Sequence, residues 1–258
     1  MINDLTLDRL LGGRVLLSQP ARGYRVAIDP VLLAAAVPAR AGERVLDAGA
    51  GTGAAALCLA TRVPGCQVVG IELQCGLQQI AAENVVQNRL GERVEMLAGD
   101  LVRPPPRLAS GSFDHVMTNP PHLAAPATSP PPLAERAIAH VEGAVPLTDW
   151  LRACRRMLRP GGTLTLIHRA DRLGDVLAAL GGSLGALAVF PLWSGDPHKP
   201  AKRVLVQGRK GSGAPLALMP GLVLHEEGGR LSAAAEAVLR HGEALLLRPR
   251  QAGERTDG

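Results

Sequence analysis

The sequence predicts a doubly wound α/β fold, a mostly parallel sheet with an antiparallel edge strand, and three observations carry that expectation. Between residues 44 and 122 short apolar runs alternate with longer helical patterns, the signature of parallel strands joined by crossover helices. Two of the runs end abruptly in turn chemistry, the first at Asp47 to Gly53 and the fourth at Asn119-Pro120-Pro121-His122. Far downstream, the strand-like run Arg203 to Gln207 sits among basic residues and would pair antiparallel at the sheet edge.

The elements follow in order. Gly13 to Ser18 reads as a strand, and Asp29-Pro30 opens a helix over Val31 to Val37, with Asp29 as its cap and proline at a position where the missing N–H has no partner to lose. A place on the rim of a ligand pocket is the other reading of Asp29. Arg44 to Asp47 is the first strand of the alternating region and Ala54 to Arg62 its helix. Gln67 to Glu72 is the second strand, followed by a helix over Leu77 to Asn88 whose apolar positions Leu77, Ile80, Ala81 and Val85 recur at helical spacing. Val94 to Ala98 and Phe113 to Met117 are the third and fourth strands, separated by the rigid Pro104-Pro105-Pro106 connection. The proline-rich stretch from Leu123 to Val145 reads as a long loop of the kind that is usually functional.

Beyond it, Leu147, Trp150, Leu151, Cys154, Met157 and Leu158 form one apolar helical face, ended by Pro160-Gly161-Gly162. Arg152, Arg155, Arg156 and Arg159 occupy the opposite side, as a solvated face or one turned to nucleic acid. Thr163 to His168 is a fifth strand, Arg172 to Leu180 a helix and Ala186 to Leu192 a sixth strand. After residue 211 there is a short apolar run, Leu216 to Leu224, a helical piece, Ala233 to Arg240, and a polar tail expected to fray.

Composition narrows the function classes. With 258 residues, 47% hydrophobic and 20% charged, the chain can bury a sizeable core. Aromatic residues make up only 2%, so a surface built on base stacking has few rings to use. A net charge of +5 suits an anionic partner without specifying one. Cys58, Cys66, Cys75 and Cys154 lack C-x-x-C spacing and paired histidines, so neither a zinc site nor a disulfide framework is expected, and a reducing, cytoplasmic setting fits. Asp4 and Asp8 among the first residues argue against a signal peptide, and no apolar run approaches a membrane span.

The chemistry concentrates at strand ends. Gly49, Gly51 and Gly53 alternate after Asp47, the pattern of a backbone that a ligand approaches closely. Glu72 ends the second strand, where a carboxylate can accept two ribose hydroxyls, and Asp100 follows the third; capping of the next helix is the alternative for both. In an open parallel sheet that reverses after its first strand, the first and fourth strands are neighbours and ligands bind in the crevice between their ends. Asn119 brings a side-chain carbonyl to that crevice and Pro120 a backbone carbonyl. The prolines stiffen the turn and carry no competing N–H. Such acceptors suit an NH2 group whose delocalised lone pair makes it a poor nucleophile until its hydrogens are bonded. His122 offers a ring for stacking on a base, or is only a polar turn residue.

With both motifs in place the sequence resembles the class I S-adenosylmethionine-dependent methyltransferases: Asp47 to Gly53 is similar to their first motif, and Asn119-Pro120-Pro121-His122 to the N-P-P-[YFH] signature of amino-group methyltransferases. Gly23 to Leu33 and Ala201-Lys202-Arg203-Val204-Leu205-Val206 extend the resemblance to the bacterial tRNA adenine N6-methyltransferases that modify the adenosine beside the anticodon of a valine tRNA. That family usually has Tyr where this chain has His122.

The resemblance implies a Rossmann-like methyltransferase domain over 44–210. A preceding extension, 1–43, would cap the cofactor site, and a C-terminal extension, 211–258, would follow. It implies S-adenosylmethionine as cofactor, held by Asp47, Gly49, Gly51 and Gly53, with Glu72 on its ribose and Asp100 on its adenine. The target base would lie against Asn119, Pro120, Pro121 and His122, and tRNA phosphates against Lys199, Lys202 and Arg203. Glutamine methylation of release factors uses the same Asn-Pro-Pro chemistry and is the second enzyme reading, although those enzymes typically have a larger helical domain ahead of the first motif. A protein that binds cofactor or RNA without turnover is the third. Neither metal nor membrane is implied.

Overall fold

The structure, a computed structural model, describes residues 4–120 and 145–248. A two-stranded antiparallel hairpin opens the chain, β1 (Leu5–Leu10) and β2 (Val15–Pro20), joined by a 3-10 turn at Leu11–Gly13. The helix α1 (Asp29–Ala36) follows, and then the alternating region: β3 (Arg44–Ala48), α2 (Ala54–Arg62), β4 (Gln67–Glu72), α3 (Cys75–Gln87), β5 (Val94–Ala98) and β6 (Phe113–Thr118). After residue 145 come α4 (Leu147–Met157), β7 (Leu158–Arg169), α5 (Leu173–Leu180), β8 (Leu184–Trp193), β9 (Arg203–Lys210), the two-residue strands β10 (Ala217–Leu218) and β11 (Leu222–Val223), and α6 (Ala233–Leu239).

The large sheet has the order β10-β8-β9-β7-β6-β3-β4-β5, with β11 also on β8. Every pairing along β5-β4-β3-β6-β7 is parallel. Only β9 runs against this direction, between β7 and β8, so the antiparallel strand lies in the outer part of the sheet with β8 beyond it. β3 and β6 are neighbours, with Ala48 opposite Thr118, so the two turns read from the sequence leave the sheet side by side.

Apolar side chains alternate between two cores, one on each face. In β3, Val45 belongs to one core and Leu46 to the other; in β6, Met117 and Val116 divide in the same way. The first core joins Leu17 of the hairpin, Leu32 of α1, Leu57 of α2 and Val238 of α6, so segments from both ends of the chain share it with the central sheet. The second packs α4 and α5, through Leu151, Met157 and Val176, against Phe113, Leu164 and Val206.

Three local expectations change. β1 is a strand the sequence reading did not assign; its alternation of exposed and half-buried residues gives it only one weakly covered face. Asp29 is the first residue of α1 and its side chain does not cap the helix; it accepts from Arg203 Nε at 2.8 Å, a partner 174 residues away that outcompetes the local N–H groups. Pro160-Gly161-Gly162 lies inside β7, because the chain passes directly from α4 into the strand at Leu158, which pairs with Phe113.

Candidate active site

The site forms where β3 and β6 end. Gly49, Gly51 and Gly53 all have positive φ, at 75°, 55° and 84°, so the turn depends on residues that enter the left-handed region without a Cβ penalty. Two rings press on it. A Cβ added at Gly51 would lie 2.0 Å from the Tyr24 hydroxyl oxygen, and one at Gly49 would lie 3.0 Å from Trp150 Cζ2. Two of the chain's few aromatic residues therefore sit against one turn.

Four N–H groups of the turn are already engaged within the protein. Gly49 and Ala50 both donate to the Ile71 carbonyl at 3.0 Å, Gly51 donates to Glu72 Oε2 at 2.9 Å, and Gly53 donates to the Ala50 carbonyl at 2.8 Å. A phosphate cradle needs those donors free. What remains is bare Cα surface flanked by carboxylates, which suits a ligand that is cationic near the turn.

Asp47 supplies one of these carboxylates. It lies in β3, is buried, and its Oδ2 accepts from Ala56 N at 3.2 Å in the first turn of α2. Burial pushes its carboxyl from an ordinary 3.8 up to about 7; the Ala56 N–H works against that rise and the Glu72 charge adds to it. Glu72, the last residue of β4, also accepts from Gln74 N at 2.9 Å, so one carboxylate ties the glycine turn to the start of α3. Its two oxygens retain acceptor capacity beyond these bonds. Asp100, two residues past β5, accepts from Val102 N at 2.8 Å and is 3.9 Å from Arg103 Nε.

On the β6 side, Thr118 Oγ1 donates to the Ala48 carbonyl at 2.8 Å and accepts from Trp150 Nε1 at 3.0 Å. These bonds pin the ends of β3 and β6 together and bring α4 over the glycine turn. Asn119 and Pro120 come next. Asn119 Oδ1 is buried and has no hydrogen-bond partner among the described residues, and the same is true of Thr52 Oγ1 in the glycine turn. A buried acceptor without a donor costs about 1–3 kcal/mol, so Asn119 Oδ1 is an acceptor open to a donor that the described residues do not supply. Pro121 and His122 lie outside the described residues.

The basic candidates separate. Lys199 and Lys202 are exposed between β8 and β9. Arg203, the first residue of β9, is half-buried in its ion pair with Asp29. On α4 and just beyond, Arg156 donates to the Val102 carbonyl at 2.9 Å and Arg159 pairs with Asp114 at 2.6 Å, so these two are anchored within the protein. By spacing alone Trp150 belongs to an apolar helical face and Tyr24 to no motif; the fold reveals that both meet the glycine turn.

Comparison with known proteins agrees with this geometry. Residues 45–143 match the family model of a methyltransferase domain. Two curated relatives, both named tRNA1(Val) (adenine(37)-N6)-methyltransferase, come from Porphyromonas gingivalis and Aeromonas hydrophila. The first is 32% identical over 204 residues, 75% of this chain and 77% of that enzyme. The second is 31% identical over 154 residues, 59% of this chain and 63% of that enzyme. A ribosomal protein uL3 glutamine methyltransferase from Bradyrhizobium diazoefficiens is 34% identical over 143 residues, 52% of this chain and 43% of that enzyme. Among solved structures, one described as a predicted O-methyltransferase from Agrobacterium tumefaciens superposes with a TM-score of 0.70 at 26% identity, covering 84% of this chain and 98% of that one.

Proposed function

The chain belongs to the family of the tRNA1(Val) (adenine(37)-N6)-methyltransferases and is a class I S-adenosylmethionine-dependent methyltransferase, and from that premise we propose that it methylates the exocyclic N6 amino group of an adenosine in tRNA, the one beside the anticodon of a valine tRNA. The observation that carries this reading is the buried, unpartnered Oδ1 of Asn119 beside the glycine turn. An adenine N6 has its lone pair delocalised into the ring. Asn119 Oδ1 and the Pro120 carbonyl accept its two hydrogens and let the nitrogen pyramidalise towards the methyl donor. Bound S-adenosylmethionine supplies the electrophilic methyl on its sulfonium. No strong base is needed among the protein groups, because the nitrogen becomes acidic once methylated and its proton leaves to water. Asp47, Gly49, Gly51, Gly53, Glu72 and Asp100 hold the cofactor in this reading. An anticodon loop presents an unpaired adenine without the cost of opening a duplex.

Glutamine methylation is the second reading, supported by the uL3 glutamine methyltransferase relative and by the same Asn-Pro-Pro chemistry on an amide NH2. One assay separates them: methyl-labelled cofactor is incubated with total tRNA and, separately, with release factor and ribosomal protein, and the products are analysed by mass spectrometry. The proposal expects N6-methyladenosine in tRNA; label found only in glutamine of a protein overturns it.

Lys199 and Lys202 contact tRNA phosphates in this reading. Replacing both by Ala weakens tRNA binding and flattens the plot of log affinity against log salt by about one to two units, at roughly 0.7–0.9 per phosphate contact. Arg203→Ala is expected to behave differently: it breaks the pair with half-buried Asp29 and so lowers the melting temperature. Thermal melts and salt titrations on the two variants distinguish the roles, and an unchanged salt slope in the lysine double variant returns those residues to the solvated surface.

A further inference from the structure

The helix α3 carries a polar ladder that the catalytic reading does not use. Asn84 Oδ1 accepts from Ser18 N at 2.8 Å and its Nδ2 donates to the Ser18 carbonyl at 2.8 Å. One turn later Asn88 does the same to Leu16, with Oδ1 to Leu16 N at 2.8 Å and Nδ2 to the Leu16 carbonyl at 2.7 Å. A carboxamide presents one donor face and one acceptor, as a peptide group does, so the two asparagines stand in for a neighbouring strand along the edge of β2. The spacings agree: four residues of helix rise about 6 Å and two residues of strand about 6.6 Å. Leu16 and Ser18 are opposite Arg9 and Leu7 of β1, so the same strand is held by β1 on one edge and by α3 on the other.

The two asparagines differ in one bond. Asn84 is fully buried, and its Nδ2 also donates to the Thr52 carbonyl at 3.0 Å, inside the glycine turn. The second bond of Asn88 Nδ2 goes to the Asn84 carbonyl at 2.8 Å, within the helix. Asn84 is thus the group through which the N-terminal hairpin, α3 and the glycine turn share a hydrogen-bond network. The turn's other anchors, Ile71 and Glu72, come from β4.

We propose that Asn84 is a positioning residue that couples the N-terminal hairpin to the glycine turn, so that the docked hairpin sets the affinity of the turn for cofactor. This rests on the reading that the turn binds the cofactor. Coupling of this kind is reciprocal: the hairpin raises affinity at the turn, and ligand at the turn tightens the hairpin.

The test compares Asn84→Ala with Asn88→Ala in the full chain, since each removes two bonds to β2 and only the first removes the bond to Thr52. S-adenosylhomocysteine is the probe, titrated calorimetrically, with melting temperatures and steady-state kinetics alongside. Expected are similar losses in melting temperature for the two variants. Asn84→Ala weakens the probe by about 10-fold or more, a coupling of ordinary size, and raises KM for cofactor with kcat nearly unchanged; Asn88→Ala leaves affinity near that of the parent. Hydrogen exchange at Leu16 and Ser18 should slow when the probe binds the parent protein.

Equal effects of the two variants on affinity, or no effect of either, overturn the coupling. Should Asn84→Ala fail to fold, Asn84→Ser, which is small and neutral and loses the reach of Nδ2 to both Ser18 and Thr52, carries the comparison with the same expected result. Glu72→Gln distinguishes the underlying reading: if the isosteric change at the turn also leaves probe affinity unchanged, the turn is not the cofactor site, whereas loss of affinity there with none at Asn84 refutes the coupling alone.

Discussion

Asn119→Ala is expected to keep cofactor affinity and lose turnover by roughly 30- to 900-fold, the equivalent of about 2 to 4 kcal/mol of transition-state stabilisation. The size follows from what Oδ1 does. It is buried, it has no partner among the described residues, and it leaves β6 beside the glycine turn without bonding to that turn. In the proposed reading its removal deletes an acceptor for the amino hydrogens and little else. Stability should rise slightly or stay level, because an unsatisfied buried acceptor is lost with it. Asn119→Asp is the internal control: it keeps an oxygen at the same place and should retain more activity than the alanine. Single-turnover rates with saturating cofactor, together with S-adenosylhomocysteine titrations, measure both quantities. Near-normal turnover in Asn119→Ala would remove Asn119 from the chemistry.

Much of the sheet was legible because its central parallel strands are mostly buried and read as short apolar runs between helical patterns, with Gly or Asn-Pro turns after β3 and β6. The adjacency of β3 and β6 followed from a topological rule, and the pairing of Ala48 with Thr118 accords with it. The residues that escaped are those whose partners lie far away in sequence. Asp29 has every local feature of a cap and turns to Arg203 instead. Asn84 and Asn88 continue the spacing of Leu77, Ile80, Ala81 and Val85 and so fall on the covered side of α3, yet helical periodicity cannot show that what covers them is the edge of β2. Trp150 fitted an apolar stripe, but its indole N–H reaches Thr118 and its ring covers Gly49. The glycine turn shows a subtler gap. Its spacing revealed a close backbone approach, while the inward direction of its N–H groups, which argues against phosphate, needed the position of Ile71 and Glu72.

In the proposed reading Asp47 meets the positive charge of the cofactor, and its acidity makes that encounter pH-dependent. The folded protein holds the Asp47 carboxyl near 7, against 3.8 when unfolded, chiefly through burial. A carboxyl whose pKa is raised by folding favours the folded state fully below the unfolded value and ceases to do so as pH rises through the folded value. Free protein should therefore lose stability between about pH 4 and pH 7, on the order of 4 kcal/mol from this group. Cofactor binding reverses the preference, because a sulfonium and an ammonium favour the ionised carboxylate; affinity should rise as pH passes through 7 and level off above it. Asp47→Asn makes both expectations measurable. The variant keeps an acceptor for Ala56 N, loses the charge, and should show a flatter dependence of denaturation midpoint on pH than the parent, with weak and nearly pH-independent cofactor binding. Denaturant titrations and calorimetry at pH 5, 6, 7 and 8 supply the comparison. If parent and variant follow parallel stability curves, the carboxylate is not titrating in this window; if the variant binds S-adenosylmethionine, which carries the sulfonium charge, as tightly as the parent at pH 8, the charge has no part in holding the cofactor. Where both expectations hold, the energy withheld from the free fold by the buried acid is returned on binding, and an enzyme destabilised at Asp47 near neutral pH is one whose cofactor completes its core.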